Sequence, residues 1–115
     1  MADCIFCKIA AGEMDTEMLY KDEDIVAFED INPQAPTHIL IIPRKHIATL
    51  DELKGDDYQL VGKIYQVANQ LAAETDIIED GYQIVANCKE DGGQVIYHIH
   101  FHLLGGRKLN WPPGE

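Results

Sequence analysis

The sequence predicts an α+β fold: a five-stranded antiparallel sheet covered by one long helix and one short one. Three observations carry that prediction. The elements run short helix, three strands, long helix, two strands, without the βαβα alternation that builds a parallel sheet. The stripe Leu60, Val61, Ile64, Ala68, Leu71 and Ala72 recurs at helical spacing and gives one long apolar face. The length, 115 residues, fits a single domain spanning 1–115, with no repeat or linker inside it.

The elements follow in order. Cys4 to Ala11 carries Ile5, Phe6 and Ile9 at roughly helical spacing, and Gly12 follows as a stop. Met18 to Tyr20 and Ile25 to Phe28 read as short strands around the polar turn Lys21-Asp22-Glu23-Asp24. Asn32-Pro33-Gln34-Ala35-Pro36 suits neither helix nor central strand and is a shaped loop. His38 to Pro43 is an isoleucine-rich strand, and Thr49-Leu50-Asp51-Glu52 has the spacing of a capping box. The long helix runs from about Asp56 to Thr75, and the last two strands are Tyr82 to Asn87 and Val95 to Leu104.

Charge narrows the function. Nine Lys and Arg stand against 20 Asp and Glu, a net charge of −11. That excludes general binding to nucleic acid or an anionic membrane, where a basic surface supplies most of the affinity. No apolar run approaches the ~20 residues of a membrane helix, and the opening residues lack a secretory pattern, so a cytoplasmic location is expected. The carboxylates are unevenly spread. Ile31 to Leu50 and Gly92 to Gly114 contain none, yet these windows hold all five histidines together with Arg44, Lys45, Arg107 and Lys108. If the windows meet, they form a neutral-to-positive patch suited to a small anion.

The loudest motif is Tyr97-His98-Ile99-His100-Phe101-His102-Leu103-Leu104. Side chains alternate along a strand, so His98, His100 and His102 share one face, about 7 Å apart, while Tyr97, Ile99, Phe101 and Leu103 face the core. Imidazole titrates near neutrality and can serve as nucleophile, acid, base or ligand. The row therefore reads as a packed polar face, as a metal site built on His-x-His, or as a phosphate-handling site with an attacking imidazole. Gly92-Gly93 just before it could bring backbone N–H groups close to an anion. Cys4-x-x-Cys7 suits metal or redox chemistry in a reducing compartment, or simply two half-buried thiols. A metal there needs two more ligands from His46, His38, His98 and Cys88.

These residues resemble the histidine triad (HIT) family, and within it the Hint-like purine nucleoside phosphoramidase branch. His98-Ile99-His100-Phe101-His102-Leu103-Leu104 carries the likeness. Ile5-Phe6-x-Lys8-Ile9, Phe28 through His38, Ile42-Pro43-x-Lys45-His46-Ile47, Gly81-Tyr82 with Asn87, and Leu104-Gly105-Gly106-Arg107 extend it, and Trp111-Pro112-Pro113-Gly114 resembles the Hint tail. The resemblance implies a homodimer joining two sheets into one of ten strands. It implies hydrolysis of the P–N bond of purine nucleoside 5′-phosphoramidates through a nucleotidyl-histidine intermediate, with no cofactor required for catalysis.

By family position His100 is the nucleophile. His102 and the Gly93-Gln94 backbone hold the non-bridging oxygens, while His98 and His38 orient the site and assist proton transfer. Asp30 accepts from the ribose, Asn87 reaches the phosphate, and Ile31, Phe28 and Phe6 wall the base. Trp111 helps choose the leaving group. Val95 departs from the serine or threonine common after Gln94, which leaves substrate preference open. Cys4, Cys7, His46 and His98 resemble the zinc ligands of some relatives, which would make His98 structural. A dinucleoside polyphosphate hydrolase and a nucleotide sensor or scaffold with little turnover are the alternatives.

Overall fold

The computed structural model describes residues 4–110. Its elements are α1 (Ile5–Ala10), β1 (Tyr20–Lys21), β2 (Ile25–Glu29), β3 (Thr37–Pro43), a 3-10 turn (Leu50–Glu52), α2 (Asp57–Glu74), β4 (Tyr82–Ala86) and β5 (Phe101–Gly105). The five strands form one antiparallel sheet in the order β1-β2-β3-β5-β4. The fold class expected from the sequence is therefore the one observed.

Period-two alternation in the central strands explains the layering. Ile25, Ala27, Ile39, Ile41, Phe101 and Leu103 point to the face that α2 covers with Ile64, Val67, Ala68, Leu71 and Ala72. The opposite face offers Val26, Phe28, Leu40 and Ile42 to Phe6, Ile9 and Ala10 of α1. Because both faces of β2 and β3 are covered, those strands read as nearly continuous apolar runs. Burying each such side chain contributes about 1.5–3 kcal/mol. Residues 30–36 and the β3–β5 pair then lie beside α1, where the histidines collect.

Two strands start more than one residue from where the sequence places them. The first strand is Tyr20–Lys21, with Lys21 paired to Val26; the turn is held to Asp22–Asp24, where Asp22 Oδ1 accepts from the N–H groups of Asp24 and Ile25. The last strand begins at Phe101, not Val95. Residues 95–100 leave the ladder and are tied to the segment after β3 by single bonds. Ile99 N–H donates to Ile47 O at 2.8 Å, and the Gln94 amide donates to Ala48 O at 2.7 Å and to Ile96 O at 3.0 Å. The expected inward alternation holds at Ile99, Phe101 and Leu103 and fails at Tyr97, which is exposed.

Candidate active site and the adjoining thiol cluster

Antiparallel register brings the two acid-free windows together. In the β3–β5 pair His38 lies opposite Leu104 and Leu40 opposite His102, so His38 and His102 are diagonal neighbours on one face. Their rings meet, with His38 Nε2 and His102 Nδ1 2.9 Å apart. The rings of His100 and His102 lie 5.1 Å apart between centroids, closer than an extended strand predicts, because the side chains lean together. His98 instead packs beside His46 at 5.0 Å.

Backbone contacts decide the tautomers. Gln34 N–H donates to His38 Nδ1 at 3.0 Å, so the proton of neutral His38 sits on Nε2. That N–H donates to His102 Nδ1, with Asp30 Oδ2 3.4 Å away as a second, weaker acceptor. His102 then carries its own proton on Nε2. His100 Nδ1–H donates to the His98 carbonyl at 2.9 Å, leaving its Nε2 lone pair uncommitted. His98 Nε2–H donates to Pro43 O at 2.8 Å, leaving Nδ1 to face sulfur.

Burial keeps these rings neutral. It is the largest influence lowering the pKa of His38, His98 and His100 below the usual 6.5, against the attraction of Asp30 at His38 and His100. His102 goes furthest, down to about 4, because burial is joined by the neighbouring charges of His100 and His38 when protonated. At neutral pH the site is a row of uncharged imidazoles with assigned donors and acceptors.

His100 and His102 floor a cleft of about 400 Å³, the size of a small-molecule site. Phe6 and Phe28 wall it, meeting edge to face at 5.8 Å, and the Phe6 ring stands edge-on to His100 at 5.1 Å. Asp30, Asn87 and Gly93 lie along it, while Ile31 and Val95 stand on its lip almost fully exposed. Ile5, Ile9, Leu40 and Ile96 line it too and were missed from the sequence. Of these, Leu40 was within reach, since it sits two residues from His38 in the strand.

Other expected features change. The Gly93 and Gln94 N–H groups are not free for an anion: they donate to Glu90 O at 3.0 Å and Lys89 O at 2.9 Å. The glycines serve the turn instead, since a Cβ at Gly92 would stand 2.4 Å from Cys88 O and Gly93 has φ +81°. Gln94 turns its buried amide into the loop rather than toward the cleft. Nor do the cations of those windows line the cleft. Arg44 donates to Asp22 O and Ala10 O, Lys45 pairs with Asp57 at 2.7 Å, Arg107 donates to Gln34 O, and neither these nor Lys108 are among the cleft residues. An anion here meets imidazole N–H donors. His98 is fully buried and not among the cleft residues, because its ring is committed to the thiols and Pro43. Trp111 lies outside the described residues.

Behind the cleft, Cys4 Sγ and Cys7 Sγ approach His98 Nδ1 at 3.3 and 3.5 Å, and Cys7 Sγ approaches His46 Nδ1 at 3.3 Å. These four donor atoms all lie within 4.8 Å of one another. A tetrahedral zinc with S and N bonds of about 2.3 and 2.0–2.1 Å would set S···N separations near ~3.6 Å. The donor set and its spacing therefore fit a metal ion, and Pro43 O supplies the outer hydrogen bond that orients a ligating histidine. Burial, with Cys4 alongside, pushes the Cys7 thiol up. Asp30, His38 and His102 also converge within 4.8 Å. There, however, the Gln34 N–H keeps the proton of His38 on the nitrogen that would have to bind, so this second group is a hydrogen-bonded chain rather than a ligand set.

Fold and site together define a protein that presents a neutral, oriented imidazole to a nucleotide-sized cleft. The chain matches, over residues 3–110, the family model described as scavenger mRNA decapping enzyme C-term binding, and it belongs to the histidine triad family. It is 46% identical over 107 residues to the purine nucleoside phosphoramidase of Escherichia coli K12, covering 93% of this chain and 90% of that protein. A 14 kDa zinc-binding protein of Zea mays is 46% identical over 112 residues, covering 96% and 87%. Among solved structures, a HIT family hydrolase from Legionella pneumophila superposes with a TM-score of 0.94 at 52% identity, covering 97% of this chain and all of that one. A histidine triad protein from Clostridium difficile gives 0.92 at 42%, covering 96% of each.

Proposed function

We propose that this protein hydrolyses the P–N bond of purine nucleoside 5′-phosphoramidates, with His100 as nucleophile. The observation that carries the reading is the bond from His100 Nδ1–H to the His98 carbonyl, which leaves Nε2 as a neutral attacking nitrogen. Its lone pair attacks phosphorus; an N–P bond forms, the P–N bond to the amine breaks, and the amine leaves with a proton. Water then cleaves the nucleotidyl-imidazole, releasing the nucleotide and restoring His100. His102 Nε2–H, backed by His38 and Asp30, donates where charge or a leaving group needs it. Phe6, Phe28 and Ile31 take the base, Asp30 the ribose and Asn87 the phosphate side, while Val95 borders the leaving group. The similarity to the Escherichia coli phosphoramidase supports this assignment.

The same reading includes a homodimer paired into a ten-stranded sheet, work in the cytoplasm, and no nucleic-acid or membrane partner. Among the described residues no helix is long and apolar enough to cross a membrane. Zinc held by Cys4, Cys7, His46 and His98 would supply a structural staple, since four protein donors complete its tetrahedron. His98 is then a positioning residue, holding His100 through its carbonyl.

The test is AMP release from adenosine 5′-phosphoramidate in EDTA, comparing wild type with His100→Ala while circular dichroism follows the fold. Turnover in the first and its loss by at least ~10³-fold in the second is expected. A folded wild type that binds AMP without turnover would refute hydrolysis in favour of a sensor.

A further inference from the structure

The proposed chemistry makes no use of the reactivity of Cys4 and Cys7. The two thiols bracket the first turn of α1, both half-buried and reachable from solvent, and Cys7 N–H donates to Cys4 Sγ at 3.3 Å. Both sulfurs converge on one nitrogen, His98 Nδ1, so they lie on the same side of the turn. Cys88, the third cysteine, sits elsewhere, beside Asp51.

The thiol cluster touches the cleft in two ways. The helix that begins at Cys4 is six residues long, too short to hold itself, and depends on its tertiary ties. It carries Phe6, whose ring meets His98 at 5.9 Å and His100 at 5.1 Å. His98, gripped by the sulfurs through its ring, holds His100 through its carbonyl. Whatever changes the sulfurs therefore reaches a wall of the cleft and a residue of its floor.

We propose that Cys4 and Cys7 form a reversible dithiol–disulfide centre, oxidised by peroxides, whose oxidised form releases α1 from His98 and loosens the cleft. The chemistry balances. One thiol, ionised to its thiolate, attacks a peroxide oxygen; the O–O bond breaks, and the leaving hydroxide (or alkoxide, from an organic peroxide) takes up the released proton, giving a sulfenic acid and water (or an alcohol). The second thiol attacks that sulfur; the S–S bond forms and water leaves. Two thiols are oxidised by two electrons and one peroxide is reduced, while any metal held by the thiolates departs as a cation.

The two sulfurs already lie within 4.8 Å of one another, against roughly 2.0 Å in a disulfide. Closing the bond thus needs an approach of at most about 2.8 Å. Cys4 can supply it, since as the N-cap it is extended (φ −81°, ψ 112°) and lies outside the helix. Once bonded to each other, the sulfurs no longer hold His98 Nδ1 as free thiols, and the short α1 loses that tie.

The full chain carrying Cys88→Ala, loaded with zinc, is titrated with hydrogen peroxide and then with dithiothreitol. Peptide mapping should find Cys4 joined to Cys7, with zinc released in step. AMP affinity by calorimetry should fall roughly three- to tenfold, less than the ~10²-fold that a 1 Å misplacement can cost in rate, and return on reduction. Cys4→Ser in the same background should keep its AMP affinity through the titration. Separate over-oxidation of the two thiols, or a mapped disulfide that moves neither AMP affinity nor the His100 imidazole NMR signals, overturns the proposal. If the reduced protein does not bind AMP, the nucleotide reading has failed. The His100 signals then decide the redox proposal alone.

Discussion

Replacing His38 by alanine tests the hydrogen-bonded chain that orients His102. His38 is buried and makes three polar contacts: it accepts from Gln34 N–H at 3.0 Å, donates to His102 Nδ1 at 2.9 Å, and faces Asp30 Oδ2 at 3.4 Å. His38→Ala strands the half-buried Nδ1 of His102, at about 1–3 kcal/mol, and leaves a ring-sized void costing about 1–2 kcal/mol more. Stability should fall by roughly 2–5 kcal/mol, read by urea denaturation. The catalytic loss has a separate origin. With no donor at Nδ1, the proton of His102 is no longer confined to Nε2, and the forfeited oriented donor is worth about 1.5–3 kcal/mol, or roughly 10–100-fold in kcat/KM. Nitrogen-15 NMR of the imidazoles should show His102 as the Nε2–H tautomer in wild type and as a mixture in the variant. Added imidazole, which fits the void and can donate, should restore part of the rate. A folded variant with unchanged kcat/KM and an unchanged His102 tautomer would refute the role of that chain.

Acid should weaken the protein through the same ring. His102 is neutral in both states above pH 6.5; from 6.5 down to about 4 the unfolded chain takes up a proton the native site resists, so stability falls; below about 4 the loss levels. After allowance for solvent screening the loss is roughly 2 kcal/mol, and His102→Gln should flatten the stability–pH curve by about that much across this window. Gly105→Ala should lower stability by about 1–3 kcal/mol, because its Cβ would stand 2.7 Å from Ile77 Cδ1; a Tm equal to wild type would contradict the close packing. Cobalt(II) added to the metal-free protein should give thiolate charge-transfer bands that weaken in Cys7→Ser and vanish when Cys4→Ser is added, and bands surviving the double change would move the metal elsewhere.

Much of this molecule was legible in the order and spacing of its residues. The period-two runs of β2 and β3, the helical stripe of α2 and the alternation of His98, His100 and His102 are local signals, set by backbone geometry that neighbours in sequence share. They determine an α+β sheet and a histidine row, and the CxxC spacing marks Cys4 and Cys7 as partners. What those histidines do was decided in three dimensions. Spacing alone does not separate the three; the likeness to zinc-binding relatives set His98 apart, and the fold draws it to two thiols and His46 while His100 and His102 lie over the cleft. Main-chain groups assign the protons: Gln34 N–H, brought back by the loop before β3, for His38, and Pro43 O, far away in sequence, for His98. The N–H groups of Gly93 and Gln94 suggested an anion nest and instead close their own turn. The physical reason is common to all three. A sequence specifies which donors and acceptors exist, but a hydrogen bond forms only where register and loop path bring its partners within about 3 Å. Those partners are mostly main-chain atoms, which every residue type carries alike.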